Sequence, residues 1–204
     1  MSRAGPRTAD RLSAYTDAVF AVIVTIMVLE LRPPSSPEFG ALLELWPTFV
    51  SYIVSYGFIA IIWTNHHHLM SYVSVPSLRV IWFNFGHLFF VSLLPFVTAW
   101  VARTVLGRDP VIVYAALFVL IDAMYNLFEM EILRNSPEVS STEYRALRRR
   151  SLFALALFVV ATALAFGAPW LGFGCICLAL VLHLIPGRPL RPVRPGRSAS
   201  SKDR

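Results

Sequence analysis

Between residues 11 and 186 the chain carries six apolar stretches, roughly 11–31, 46–65, 78–102, 110–131, 151–167 and 169–186, each near the length that crosses a bilayer as a helix. Apolar residues fill these blocks on every side rather than along one stripe, which suits helices surrounded by lipid or by one another. Charged residues make up 15% of the chain against 56% apolar, far below a soluble domain's usual quarter. The expected fold is therefore all-α: one integral membrane domain of six transmembrane helices over 11–186, a cytoplasmic N-terminus over 1–10, and a basic tail over 187–204.

Prolines and glycines punctuate the blocks. Pro47 and Pro110 stand where a first helical turn tolerates them, and Gly167-Ala168-Pro169 reads as a tight turn joining the last two helices into a hairpin. Pro95 lies inside the third block and predicts a kink. The tail (GRPLRPVRPGRSASSKDR) has too few apolar residues to fold and is expected to be disordered beside anionic lipid. The N-terminus runs into the first block without a small-residue cleavage site, so that helix is expected to be retained.

Orientation follows from the basic residues, whose excess marks cytoplasmic segments. With the N-terminus inside, fifteen of the eighteen Lys and Arg fall on the inner side, and only Arg32, Arg103 and Arg108 on the outer. An odd number of spans would put the basic tail outside. The net charge of +6 comes without a basic helix face or aromatic-basic interleaving, so nucleic acid is not an expected partner. Cys175 and Cys177 sit too close on one helix to form a bridge and read as small packing residues.

Ionisable residues at membrane depth rarely face lipid and point to function. In the first block Asp17, with Thr16 beside it and Ser13 one turn earlier, lies near the inner end. Val22, Ile26 and Leu29 share a narrow stripe with Thr25 at its edge, and Val22 lies about 140° from Asp17 at 100° per residue. That stripe would line a central axis if copies assembled; otherwise it faces lipid or core. The second block ends in WTNHHHLM. Three consecutive histidines point in three directions, which disfavours a metal site, and His66–His68 are better partners for Asp17. Such a pairing would make the cluster pH-responsive. Asn84 in the third block can donate and accept, and so can link Asp17 to a histidine. Asp122, Asn126 and Glu129 form a polar stripe in the fourth block, suited either to helix–helix hydrogen bonding or to an ion site.

Residues 11–100 carry a resemblance to a known family. Arg11-x-x-x-Tyr15-Thr16-Asp17 resembles the Arg-x-x-x-Phe-Ser-Asp signature of the transmembrane protein 175 family of potassium channels. Trp63 followed by His66, then Asn84 and Leu94-Pro95-Phe96 with Thr98, are similar to the family's second and third helices. The resemblance implies a bacterial homologue in the plasma (inner) membrane, assembled as a homotetramer around a pore lined by the first helices and passing monovalent cations, K+ foremost and protons as a leak, without a cofactor. It implies pore-lining and gating layers at Val22, Thr25, Ile26 and Leu29, Glu30 at the outer mouth, and a structural polar network of Arg11, Thr16, Asp17, His66 and Asn84. Apolar layers would gate by narrowing and dewetting, since the chain has no TVGYG-like carbonyl filter. Competing readings are a secondary transporter, or an intramembrane metal- or haem-dependent protein built on the His-rich second helix.

Overall fold

The structure, a computed structural model, describes residues 8–73, 75–137 and 139–184. Among these residues it is wholly helical: α1 Thr8–Leu29, α2 Phe39–Glu44, α3 Trp46–Met70, α4 Leu78–Ser92, α5 Leu94–Arg103, α6 Arg108–Arg134, α7 Ser141–Gly167 and α8 Pro169–Leu184. The tail expected to be disordered over 187–204, the last residues of the sixth block and the first seven residues lie outside the described residues.

Prolines open helices as expected, since a first turn needs no donor there. Pro47 and Pro95 occupy the first turns of α3 and α5, and Pro169 starts α8. At the kink expected from Pro95 the helix is interrupted at a single residue: α4 ends at Ser92, Leu93 caps it with right-handed helical angles, and α5 restarts at Leu94. Serine caps set two other starts. The Ser77 hydroxyl accepts from Val80 N, and the Ser140 hydroxyl from Glu143 N. Ser140-x-x-Glu143 is a capping-box sequence, and it starts α7 ten residues before the apolar block at 151. The short α2 has no counterpart among the six blocks.

Five helical stretches are long and apolar enough to cross a membrane: Thr8–Leu29, Trp46–Met70, Leu78–Arg103, Arg108–Arg134 and Ser141–Gly167, with Pro169–His183 shorter. They are unequally buried. In α6, 56% of the most apolar window is buried, against 28% in α1. Tyr114, Phe118, Ile121 and Phe128 of α6 have no exposed surface, so α6 is the axis of the fold. Around it Phe58 stacks on Phe118 at 4.0 Å and Phe158 meets Phe118 edge-on at 5.3 Å, joining α3, α6 and α7. Helix α1 lies at the edge.

The α7–α8 hairpin is closed by small residues. A Cβ on Gly172 would stand 2.7 Å from Ala165 Cβ and 2.8 Å from the Ala161 carbonyl oxygen, so only glycine lets the helices approach this closely. Gly172→Val is expected to cost about 1–3 kcal/mol by overpacking. A lowered unfolding temperature in detergent, with Gly174→Val unaffected because nothing lies within 4 Å of its would-be Cβ, checks this.

Candidate functional site

The first helix is held at one end by two separate sets of polar contacts. Thr16 is fully buried, and its hydroxyl donates to the Leu12 carbonyl at 2.9 Å. That uses its only proton. The oxygen therefore accepts from Asn84 Nδ2 at 2.9 Å, which turns Asn84 Oδ1 toward His66 Nε2 at 2.8 Å. A carbonyl oxygen can only accept, so His66 Nε2 carries the hydrogen and the ring is fixed in one tautomer. Its plane is set by stacking on Phe128 at 5.0 Å and 6°. One hydrogen-bonded chain thus joins α1, α4 and α3 in the interior.

Asp17 belongs to the second set. One residue past Thr16 it has turned about 100° around the helix, toward α3 rather than α4. There its Oδ1 accepts from Trp63 Nε1 at 2.8 Å. Pairing of Asp17 with a histidine, and the Asn84 link between them, are not what the structure shows: Asn84 bridges Thr16 to His66, and the aspartate takes the indole. The reason is geometric. His66 is three residues beyond Trp63 and is buried against Phe128, while His67 and His68 are exposed, His67 lying on the Trp63 ring at 5.6 Å. Arg11 is exposed, and the structure does not bring it to either set.

The other side of α1 is bare. Val22, Ile26 and Leu29 are 57%, 45% and 75% exposed, and Thr25 lies exposed among them. The Thr25 hydroxyl donates to the Ala21 carbonyl at 2.8 Å, so only its lone pairs face outward. Glu30, just past the helix end, pairs with Arg103 of α5 at 3.0 Å, and this offsets the charge of its carboxylate. An open cavity of about 650 Å³ runs between α1 and α3, bordered by Asp17, Phe20, Val24, Tyr56 and Trp63.

The polar stripe of α6 faces α7. Asn126 Nδ2 donates to Asp122 Oδ2 at 3.2 Å, Arg148 donates to Asn126 Oδ1 at 3.1 Å and pairs with Glu129 at 3.2 Å, and Ser151 donates to Glu129 Oε1 at 2.8 Å. These bonds tie two helices together, as buried polar groups in membranes usually do. His87 is fully buried, with Nδ1 against the Ile121 carbonyl at 3.1 Å.

Sequence reasoning left Trp63 without a role, although it stands one turn before His66 on the same helix and within reach of the α1 carboxylate. It also missed Arg148 and Ser151, whose pairing with α6 spans about twenty residues.

A multi-span helical membrane protein whose first helix is anchored by polar side chains on one side and bare along an apolar stripe on the other is the class defined here. Residues 11–95 match the family described as endosomal/lysosomal potassium channel TMEM175. A potassium channel of Chryseobacterium is 31% identical over 182 residues, covering 89% of this chain and 95% of that one. A crystal structure described as a lysosomal potassium-selective channel TMEM175 homologue from Chamaesiphon minutus superposes with a TM-score of 0.77 at 28% identity, over 86% of this chain and 96% of the other. The endosomal/lysosomal proton channel TMEM175 of Rattus norvegicus is 25% identical over 80% of this chain, which spans 36% of the rat protein. The chain belongs to the TMEM175 potassium-channel family.

The buried chain can be tested by its weakest substitution. Asn84→Leu keeps the volume but leaves His66 Nε2–H without an acceptor, an expected loss of about 1–3 kcal/mol. Thermal unfolding in detergent should show it. Trp63→Phe, which removes only a half-exposed bond, should lower stability less.

Proposed function

We propose that this chain is a potassium-preferring cation channel, with a proton leak alongside, assembled as a homotetramer around four copies of α1. The observation that carries the reading is the division of α1: one side locked into its own subunit, the other exposing Val22, Ile26 and Leu29, which none of the described residues covers. Four such stripes facing a shared axis would bury them and form stacked apolar rings, a constriction that opens by widening and wetting. Thr25 adds a ring of oxygens for a partly dehydrated cation. Arrangement around α1 is consistent with α6 being the subunit's own axis, since the helix facing the pore is then the least enclosed of the first four spans.

In this reading Thr16, Asn84 and His66, with Asp17 and Trp63, hold each pore helix at its inner end; Arg11 stands beside them at the membrane surface. Glu30 sits at the outer mouth as a pair with Arg103, so it shapes the mouth more than it charges it. The domain runs over 11–186 with six crossings. The sixth is α8, whose sixteen residues reach about 24 Å and would be accommodated by local thinning of the bilayer. The basic-residue count supports a cytoplasmic placement of both termini, and kinship with bacterial channels supports the inner membrane. The metal or haem reading is weakened because His66, the buried histidine of its run, directs Nε2 to Asn84.

Potassium flux in proteoliposomes tests the assignment. Leu29→Ala should raise flux by widening a ring, and Val22→Ile should lower it. Asp17→Ala should impair assembly, whereas Asp17→Asn retains an oxygen for Trp63 and should be milder. Flux unchanged in both Leu29→Ala and Val22→Ile would remove α1 as the pore wall.

A further inference from the structure

The two ends of α1 are held very differently. At the Asp17 end, buried hydrogen bonds reach α3 and α4. At the Glu30 end, among the described residues, the side-chain hydrogen bond to another helix is the one from Arg103 of α5. Cavities of about 310 and 530 Å³ flank this end, and both are bounded by Glu30, Pro95, Ala99 and Arg103. With space on two sides, the last turn of α1 is held by the buried side chain of Met27 and by the Arg103 pair that ties it to α5.

Helix α5 follows α4 across Leu93, and Pro95, which has no N–H, removes a hydrogen bond from the ladder between them. The buried face of α5 packs through Leu94, Val97 and Val101, and a run of buried hydroxyls adds directed bonds to α3 and α6. Thr98 donates its proton to the Leu94 carbonyl at 2.7 Å; Ser55 of α3 must then donate to Thr98 at 2.7 Å, and Tyr114 of α6 to Ser55 at 2.6 Å. Ser55 and Tyr114 are fully buried and Thr98 nearly so. The run has one direction and fastens the short arm to the most enclosed helix of the subunit.

We propose that Ser55, Thr98 and Tyr114 are positioning residues for conduction: acting through α5 and the Arg103–Glu30 pair, they hold the Leu29 end of α1 and so set the width of its constriction. This rests on the reading of α1 as pore wall. Loosening the run releases the outer end of α1 while its inner end stays pinned, and the rings nearest Leu29 widen.

The test is a double-mutant cycle on potassium flux in proteoliposomes. Thr98→Val, close in shape but without the hydroxyl, should raise flux about three-fold, the size of an average interhelical hydrogen bond in a membrane. Thr98→Ser, which keeps the hydroxyl, should restore wild-type flux. Arg103→Met should raise flux similarly, and adding Thr98→Val to it should change nothing more, because the route is already cut. Additive effects, or equal behaviour of Thr98→Ser and Thr98→Val, would overturn the proposal. Should Thr98→Val not fold, Tyr114→Phe removes the start of the same run. A spin label at Val28→Cys, in a Cys175→Ala, Cys177→Ala background, separates the two readings. Greater label mobility in Thr98→Val, absent when Arg103→Met is already present, upholds the coupling even if the channel reading fails for want of flux. An unmoved label overturns the coupling whatever the flux.

Discussion

The hydrogen bond from Asn84 to Thr16 fixes the orientation of the first helix, and with it what that helix offers to its surroundings. Thr16 has one proton and gives it to its own backbone, so its oxygen can only accept; Asn84 supplies the amide, and its remaining oxygen commits His66 to donating. Each member has one arrangement left once its neighbour is set. In a lipid-surrounded interior a rotated α1 would strand two or three of these groups, which makes this azimuth strongly preferred over its neighbours. The stripe of Val22, Ile26 and Leu29 is exposed because the other side of the helix has no alternative.

A fold organised about α6 leaves its first helix at the edge, less enclosed than the three spans that follow it. In soluble proteins large exposed aliphatic and aromatic residues signal a partner; around a membrane protein lipid covers most of them. The distinction on α1 lies in the company the stripe keeps: Thr25 among the apolar residues, the Glu30–Arg103 pair at one end and the Asp17–Trp63 pair at the other. A helix meant solely for lipid would gain nothing from polar groups around its periphery.

Much of this was legible in the chain. Block lengths and proline positions located the long helices, because backbone hydrogen bonding in lipid leaves few alternatives to a continuous helix. The two faces of α1 followed from its periodicity alone. What was not legible were pairings across large sequence separations, such as Ser55 with Tyr114 or Asp17 with Trp63, for which a hydroxyl or indole in a span has many equally reachable partners. The early start of α7 was written in Ser140 and Glu143, but the arginines at 145 and 148–150 look incompatible with a span until Arg148 is seen folded onto α6. Arg11 shows the reverse case: the motif resemblance includes it, while its angle on the helix leaves it outside the two polar sets formed among the described residues.

The Thr25 hydroxyl has a consequence for ion sign. With its proton held by the Ala21 carbonyl, the group presents oxygen lone pairs and no hydrogen to the open side of the helix. A ring of four in the proposed assembly would be a collar of negative dipole ends without a formal charge. Such a collar would favour cations over anions at any pH at which the protein stays folded, so this layer's preference for charge sign would be built from bond direction and not from ionisation.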